Sequence, residues 1–103
     1  MIEFLGESTL TIVIDLLLEK RPFDTTKEEI IRETGVSRNT FFNVWGRIEK
    51  FGLVRKTRTI GRATLYVLNE DNPIVKKLLE LEYSIIENEI KSDKAQRKGV
   101  IAK

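Results

Sequence analysis

Apolar residues recur at helical spacing in the middle of the chain. After Ser37 they fall at positions i, i+3, i+4 and i+7, which places them on one face of a helix: Phe41, Val44, Trp45 and Ile48. At about 100° per residue, the opposite face collects small and polar residues: Asn39, Asn43, Gly46 and Lys50. The Ser37 hydroxyl can accept a hydrogen bond from the first turn and so cap the helix. The pattern predicts a helix over residues 37–51 with one buried and one polar face.

A shorter helical segment, with Ile30 and Ile31 as its buried contacts, precedes this helix. Its start is uncertain by one residue, because the threonines at 25 and 26 are each followed three residues later by a glutamate, the spacing of a capping box. Gly35 ends the segment, since glycine readily adopts the positive φ that a helix terminus needs. Two helices joined by a short turn that contains glycine form a helix-turn-helix, whose second helix lies in the DNA major groove.

Two runs of β-forming residues follow. Residues 53–58 predict a first strand, residues 59–62 a turn and residues 63–68 a second strand. The first strand is cationic, and Arg62 lies at the tip. A hairpin after a helix-turn-helix is a wing, which typically touches the DNA backbone or the minor groove, where arginine is favoured in narrow A·T-rich segments.

Two further helices are predicted on either side of these elements. The first, over residues 8–20, is apolar around most of its circumference and ends before Pro22, because the residue that precedes a proline avoids the α conformation. The last helix begins at Pro73, with Asn72 as its N-cap, and ends near Glu89 or Lys91. It carries two adjacent rows of mostly apolar residues: Ile74, Leu78, Leu81 and Ile85 in one, and Val75, Leu79, Glu82 and Ile86 in the other.

One of these rows can pack on the domain, whereas the other needs a cover. A second copy of the chain would supply it, so we expect a homodimer through the row formed by Ile74, Leu78, Leu81 and Ile85, with the first helix as a further candidate surface. The alternative is that both rows fold against the chain's own first helix. We expect residues 1–90 to form one DNA-binding domain that includes the dimerisation helix 73–90, and residues 91–103 to form a basic, flexible tail.

Composition narrows the functional classes. The 103 residues fit a single domain, and 33% of them are charged, which favours a folded protein over a disordered one. The absence of cysteine and histidine argues against a zinc site and the usual hydrolase triads, so we expect neither an enzyme nor a cofactor. No apolar run approaches the ~20 residues that span a bilayer. Glu3 and Glu7 stand where a signal peptide carries positive charge, and we expect a cytoplasmic protein.

The net charge of +2 hides an uneven distribution. Between Ser37 and Tyr66 there are seven cations and one acid, a net charge of +6, while the rest of the chain carries −4. The seven are Arg38, Arg47, Lys50, Arg55, Lys56, Arg58 and Arg62. Because this basic region coincides with the predicted helix-turn-helix and wing, it indicates a surface that binds phosphates.

Three segments, residues 29–42, 48–54 and 60–69, resemble the winged helix-turn-helix transcriptional regulators. The similarity is greatest to the small archaeal regulators of that superfamily, whose plan is shared with the MarR and ArsR groups. It implies an α+β, mainly α fold with three helices, a two-stranded wing and a long C-terminal helix. It also implies a regulator that binds double-stranded DNA in a sequence-specific manner.

Within this interpretation each polar residue has an expected role. We expect Arg38, Asn39 and Asn43 to contact base edges, because asparagine pairs bidentately with adenine and arginine with guanine. We expect phosphate contacts from four residues of the helix-turn-helix: Ser37, Thr40, Arg47 and Lys50. The DNA contacts of the wing are expected from Arg55, Lys56, Arg58 and Arg62. The alternative function is a winged-helix module that binds other proteins of the transcription or replication machinery.

Overall fold

The computed structural model describes the backbone of residues 1–101 and the side chains of residues 1–92. Along this part of the chain it has five helices and one two-stranded sheet: α1 (Ile2–Leu5), α2 (Thr9–Lys20), α3 (Lys27–Thr34), α4 (Arg38–Lys50), β1 (Val54–Ile60), β2 (Ala63–Leu68) and α5 (Pro73–Ile101). The predicted α+β, mainly helical class is confirmed. None of the helices, within the described residues, is long and apolar enough to cross a bilayer.

Hydroxyl side chains cap the three helices that surround the core. Ser8, Thr26 and Ser37 each accept a hydrogen bond from the backbone N–H three residues ahead, at 3.1, 3.1 and 3.3 Å. These bonds satisfy donors that have no partner inside the helix. The start of α3 is thereby settled, since Thr26 is its cap. Thr25 instead pairs with Tyr66 of β2 through two backbone hydrogen bonds of 2.8 and 2.9 Å.

The inner face of α4 is the centre of the core. All four residues predicted for this face are buried: Phe41, Val44, Trp45 and Ile48. The Trp45 ring stacks on Phe41 and meets Tyr66 edge to face, with ring centroids 5.5 and 5.1 Å apart. α2 supplies the opposite wall with four buried residues: Val13, Ile14, Leu17 and Leu18. The predicted burial of this first long helix is therefore provided largely by the chain itself.

The antiparallel hairpin β1–β2 is longer than the sequence pattern predicted. Strand β1 continues through Ile60 and β2 begins at Ala63, so Gly61 and Arg62 alone form the turn, whereas the turn was predicted over residues 59–62. Gly61 has φ +60°, a conformation that lets the chain reverse within two residues. The register is irregular between Lys56 and Arg58, which leaves Thr57 outside the pairing as a bulge.

Two helical features depart from the prediction. α1 was not predicted, because one turn of four residues is too short to show a periodicity; it leaves Phe4 and Leu5 exposed. The predicted end of the last helix near Glu89 or Lys91 is wrong, since α5 continues to Ile101. The added stretch contains strong helix formers and no proline, which explains the continuation. The flexible tail was predicted over residues 91–103, and its side chains beyond Ser92 lie outside the described ones.

Replacing Ile48 by alanine tests the inner face of α4. Ile48 has no exposed surface, so we expect Ile48→Ala to lower the free energy of unfolding by about 2–5 kcal/mol, the usual range for a core cavity. The matched control is Ile60→Ala, because Ile60 is 57% exposed and its loss should cost about 1 kcal/mol or less. Urea denaturation measures both values, and equal losses in the two variants would contradict this description of the core.

Candidate nucleic-acid interface

The outer face of α4 is open to solvent. Asn39, Asn43, Gly46, Arg47 and Lys50 are all exposed, because the apolar residues on the other side of the helix are fixed in the core. The remaining predicted contacts are exposed as well: Ser37, Arg38, Thr40, Arg55, Lys56, Arg58 and Arg62. The Ser37 hydroxyl also has a structural task, since it caps the helix that carries the other residues.

Gly46 lies in the middle of this outer face without breaking the helix. A Cβ atom built at Gly46 would meet no other atom within 4 Å, so packing within the described part of the chain does not require a glycine there. Glycine costs a helix interior about 1 kcal/mol relative to alanine. The chain therefore carries a locally destabilising residue at the position where α4 presents the least side-chain bulk to its surroundings.

Arg38 is held by a carboxylate that the sequence analysis did not assign to the site. Its two terminal nitrogens donate to the two carboxylate oxygens of Glu28 at 2.8 and 2.7 Å, and its guanidinium lies 5.8 Å from the centre of the Phe42 ring. The hydrogen bonds from Arg38 lower the pKa of Glu28 and raise the pKa of Arg38. The pair is therefore ionised at neutral pH. A base contact by Arg38 stays a prediction, and it requires the guanidinium to leave Glu28 or to use its other edge.

Arg58 is held in a similar way in the second half of β1. Its Nε and Nη2 atoms donate to the Asp24 carboxylate at 3.0 and 3.2 Å, and the Thr57 hydroxyl donates to the same group. The hydrogen bonds from Arg58 and Thr57 lower the pKa of Asp24. Together with the Thr25–Tyr66 pairing, these contacts connect the hairpin to the segment that precedes α3. Arg58 thus helps to orient the hairpin relative to the helix-turn-helix.

The other predicted cations carry uncompensated charge. Among the side chains of residues 1–92, Arg47, Lys50, Arg55, Lys56 and Arg62 form no ion pair with a carboxylate. They are distributed over the second half of α4, strand β1 and the hairpin turn. The result is a polar helix face bordered by positive charge on the adjoining hairpin.

Lys27 is a further cation of this surface that sequence reasoning missed. Its Nζ atom lies 5.5–6.0 Å from the ring centres of Phe42, Trp45 and Tyr66. Lys27 is the first residue of α3, and the rings come from α4 and β2. No local sequence signal joins these three elements, because their proximity depends on how the hairpin folds back.

On the surface predicted for dimerisation, the exposure of the side chains changes along the length of α5 and does not distinguish its two rows. Val75 is buried, and three residues of the predicted dimer row are half-buried against the core: Leu78, Leu81 and Ile85. Ile74 and the residues farther along the helix are more open, with Ile86 45% and Ile90 50% exposed. The alternative, that both rows fold on the chain itself, therefore holds for the residues between Val75 and Ile85 that pack on the core, and not for Ile74 or Ile86.

No family model and no curated protein matches the sequence. Solved structures do match. ZitR from Lactococcus lactis, as a C30AH42A mutant in its apo form, is 17% identical with a TM-score of 0.62, and the match covers 98% of this chain and 80% of that one. PcaV, a transcriptional regulator from Streptomyces coelicolor, is 21% identical with a TM-score of 0.55 over 94% of this chain and 77% of that one.

Sso10a-2, a DNA-binding protein from Sulfolobus solfataricus, is 16% identical with a TM-score of 0.54. The match covers 89% of this chain and 95% of that one. These likenesses extend over most of each protein. The chain has the winged-helix fold, with α3 and α4 as its helix-turn-helix and β1–β2 as its wing.

Proposed function

We propose that this chain is a sequence-specific double-stranded DNA-binding protein that regulates transcription. The observation that carries the proposal is the exposed polar face of α4 beside a wing with unpaired cations. An α-helix fits the width of the major groove, where each base pair presents a distinct pattern of donors and acceptors. The matched structures support the proposal because their names describe DNA-binding or regulatory proteins.

In this arrangement α4 enters the major groove and reads the bases through residues of its first half. Among the described residues, the exposed amide groups of Asn39 and Asn43 have no hydrogen-bond partner, and a carboxamide can donate to and accept from an adenine edge. Arg38 joins them by contacting a guanine with the guanidinium edge that Glu28 leaves open. Base contacts by these side chains would provide the sequence preference.

The phosphate contacts come from the borders of the same surface. Arg47 and Lys50 lie in the second half of α4, with Ser37 and Thr40 near its start, and the wing adds Arg55, Lys56 and Arg62. Arg58 contributes mainly by keeping the wing in place through Asp24. Such contacts position a protein on the duplex and supply most of its non-specific affinity.

We also propose that the chain forms a homodimer through the distal part of α5. Ile86 and Ile90 are half-exposed there, and Phe4 and Leu5 of α1 are exposed as well. Leu81 and Ile85 line a largely apolar groove together with Phe4, so a second copy could bury Ile86 and Ile90 next to the predicted row. A twofold dimer would present two α4 helices to a palindromic site.

Salt dependence tests the proposed function against the protein-interaction alternative. If each of the five cations that form no ion pair among the described side chains neutralises one phosphate, log K per chain should fall with log salt with a slope of about −4.5. Fluorescence anisotropy with a labelled duplex measures this slope between about 50 and 200 mM salt, a range over which the affinity of such proteins falls steeply. No binding at the lowest salt would instead favour a module that binds proteins.

Two substitutions should separate base reading from phosphate binding. Asn43→Ala should relax the base preference at one position of a selected site, with a loss of discrimination of about 1–3 kcal/mol. Arg62→Ala should weaken binding to all duplexes to a similar degree, because a phosphate carries no sequence information. Competition assays with single-base variants of the site measure both effects, and the reverse pattern would show that the roles are misassigned.

The dimer can be tested without disturbing the core of the monomer. Because Ile86 is 45% exposed, Ile86→Glu should leave the thermal unfolding of the monomer nearly unchanged but place a charge in the proposed interface. We expect sedimentation equilibrium to give a dimer for the unmodified chain and a shift towards monomer for the variant. Ile86→Leu is the control and should stay dimeric. A monomeric unmodified chain at micromolar concentration would contradict the proposal.

A further inference from the structure

A groove lies between the start of α3 and the wing. Its volume is about 270 Å³, and it is lined by residues of α3 and its cap, α4, the hairpin turn and β2: Thr26, Lys27, Glu28, Phe42, Arg62, Ala63, Thr64 and Tyr66. The only one of these that the sequence analysis assigned to DNA is Arg62. The groove adjoins the outer face of α4 through Phe42, which is exposed next to Asn43.

Lys27 brings a positioned but uncompensated charge to this groove. Its Nζ atom lies over three aromatic rings, at 6.0 Å from Phe42, 5.8 Å from Trp45 and 5.5 Å from Tyr66. Ring faces attract an ammonium group but cannot neutralise it, so its hydrogen-bond donors stay available to an anion. No carboxylate within the described side chains pairs with Lys27. Holding the side chain in advance lowers the entropy lost on binding.

The other charged groups of the groove also favour an anion. Glu28 is the acid of the lining, and both of its carboxylate oxygens accept hydrogen bonds from Arg38. Arg62 lines the groove from the wing and forms no ion pair among the described residues. Two unpaired cations therefore border one groove, while its carboxylate is already compensated by a third cation.

We propose that this groove binds a backbone phosphate of the same duplex that α4 reads, with Lys27 and Arg62 contacting it from opposite sides. The inference rests on the proposed function, since it takes the ligand to be DNA. We choose the duplex over a small free anion because the groove is continuous with the exposed face of α4. α3 then becomes a third DNA-binding element beside α4 and the wing. Its contact is independent of base sequence, since it addresses a phosphate.

The test is Lys27→Gln in the full chain, which removes the charge and keeps a long polar side chain. We expect binding to be about 5- to 10-fold weaker on a selected site and on an unrelated duplex alike, because the glutamine amide keeps a donor and the loss is about that of one ordinary hydrogen bond. The slope of log K against log salt should become less negative by about 0.9, the value for one phosphate. Lys27→Arg should restore both quantities, because it keeps the charge.

Lys76→Gln is the matched control, since Lys76 is an exposed lysine on α5 that does not line the groove. It loses the same charge and should change neither the affinity nor the slope beyond the small effect of net charge. Thermal unfolding of Lys27→Gln shows whether the loss of the ring contacts alters the fold. A purely structural role of Lys27 would shift the melting temperature and leave the salt slope unchanged.

Three results would overturn the inference. A folded Lys27→Gln variant with the affinity and salt slope of the unmodified chain shows that α3 binds no phosphate. Binding of inorganic phosphate alone that depends on Lys27 but does not compete with DNA assigns the groove to a small anion. Failure of the unmodified chain to bind any duplex contradicts the proposed function itself. This outcome differs from the first, in which the chain binds DNA but Lys27 makes no contribution.

Discussion

Burial of one side of α4 is the constraint on which the remaining structure depends. Phe41, Trp45 and Ile48 are almost fully enclosed, and the ring contacts of Trp45 connect α4 to the second strand of the wing. Because a helix is rigid at this length, enclosing these residues forces Asn39 and Asn43 to the opposite side. The core therefore determines which side chains the helix presents to solvent.

The position of the wing follows from a second set of contacts. Thr25 pairs with Tyr66 of β2 through the backbone, and the preceding residue, Asp24, binds Arg58 and Thr57 of β1. Individually, exposed ion pairs of this kind contribute little to stability. Their significance is geometric, because they fix the hairpin beside the helix-turn-helix, and Arg62 of the hairpin lines the same groove as Lys27.

Much of this architecture could be predicted from local patterns, whereas contacts between distant segments could not. Helical periodicity was sufficient to identify the inner face of α4, and the hydroxyl at Ser37 marked its start. The pairing of Arg38 with Glu28, and of Lys27 with rings from two other elements, joins residues that no periodicity relates. The end of α5 was misplaced for a different reason: charged residues such as lysine and arginine suit a helix as well as a flexible tail.

Selection of bound duplexes from a random pool by the full chain, followed by sequencing, tests whether the polar face of α4 reads base sequence in duplex DNA. We expect enrichment of a defined site made of two inverted half-sites about one helical turn apart, because a twofold axis would relate the two α4 helices. Recovery of the pool without base preference would show that α4 does not read base sequence.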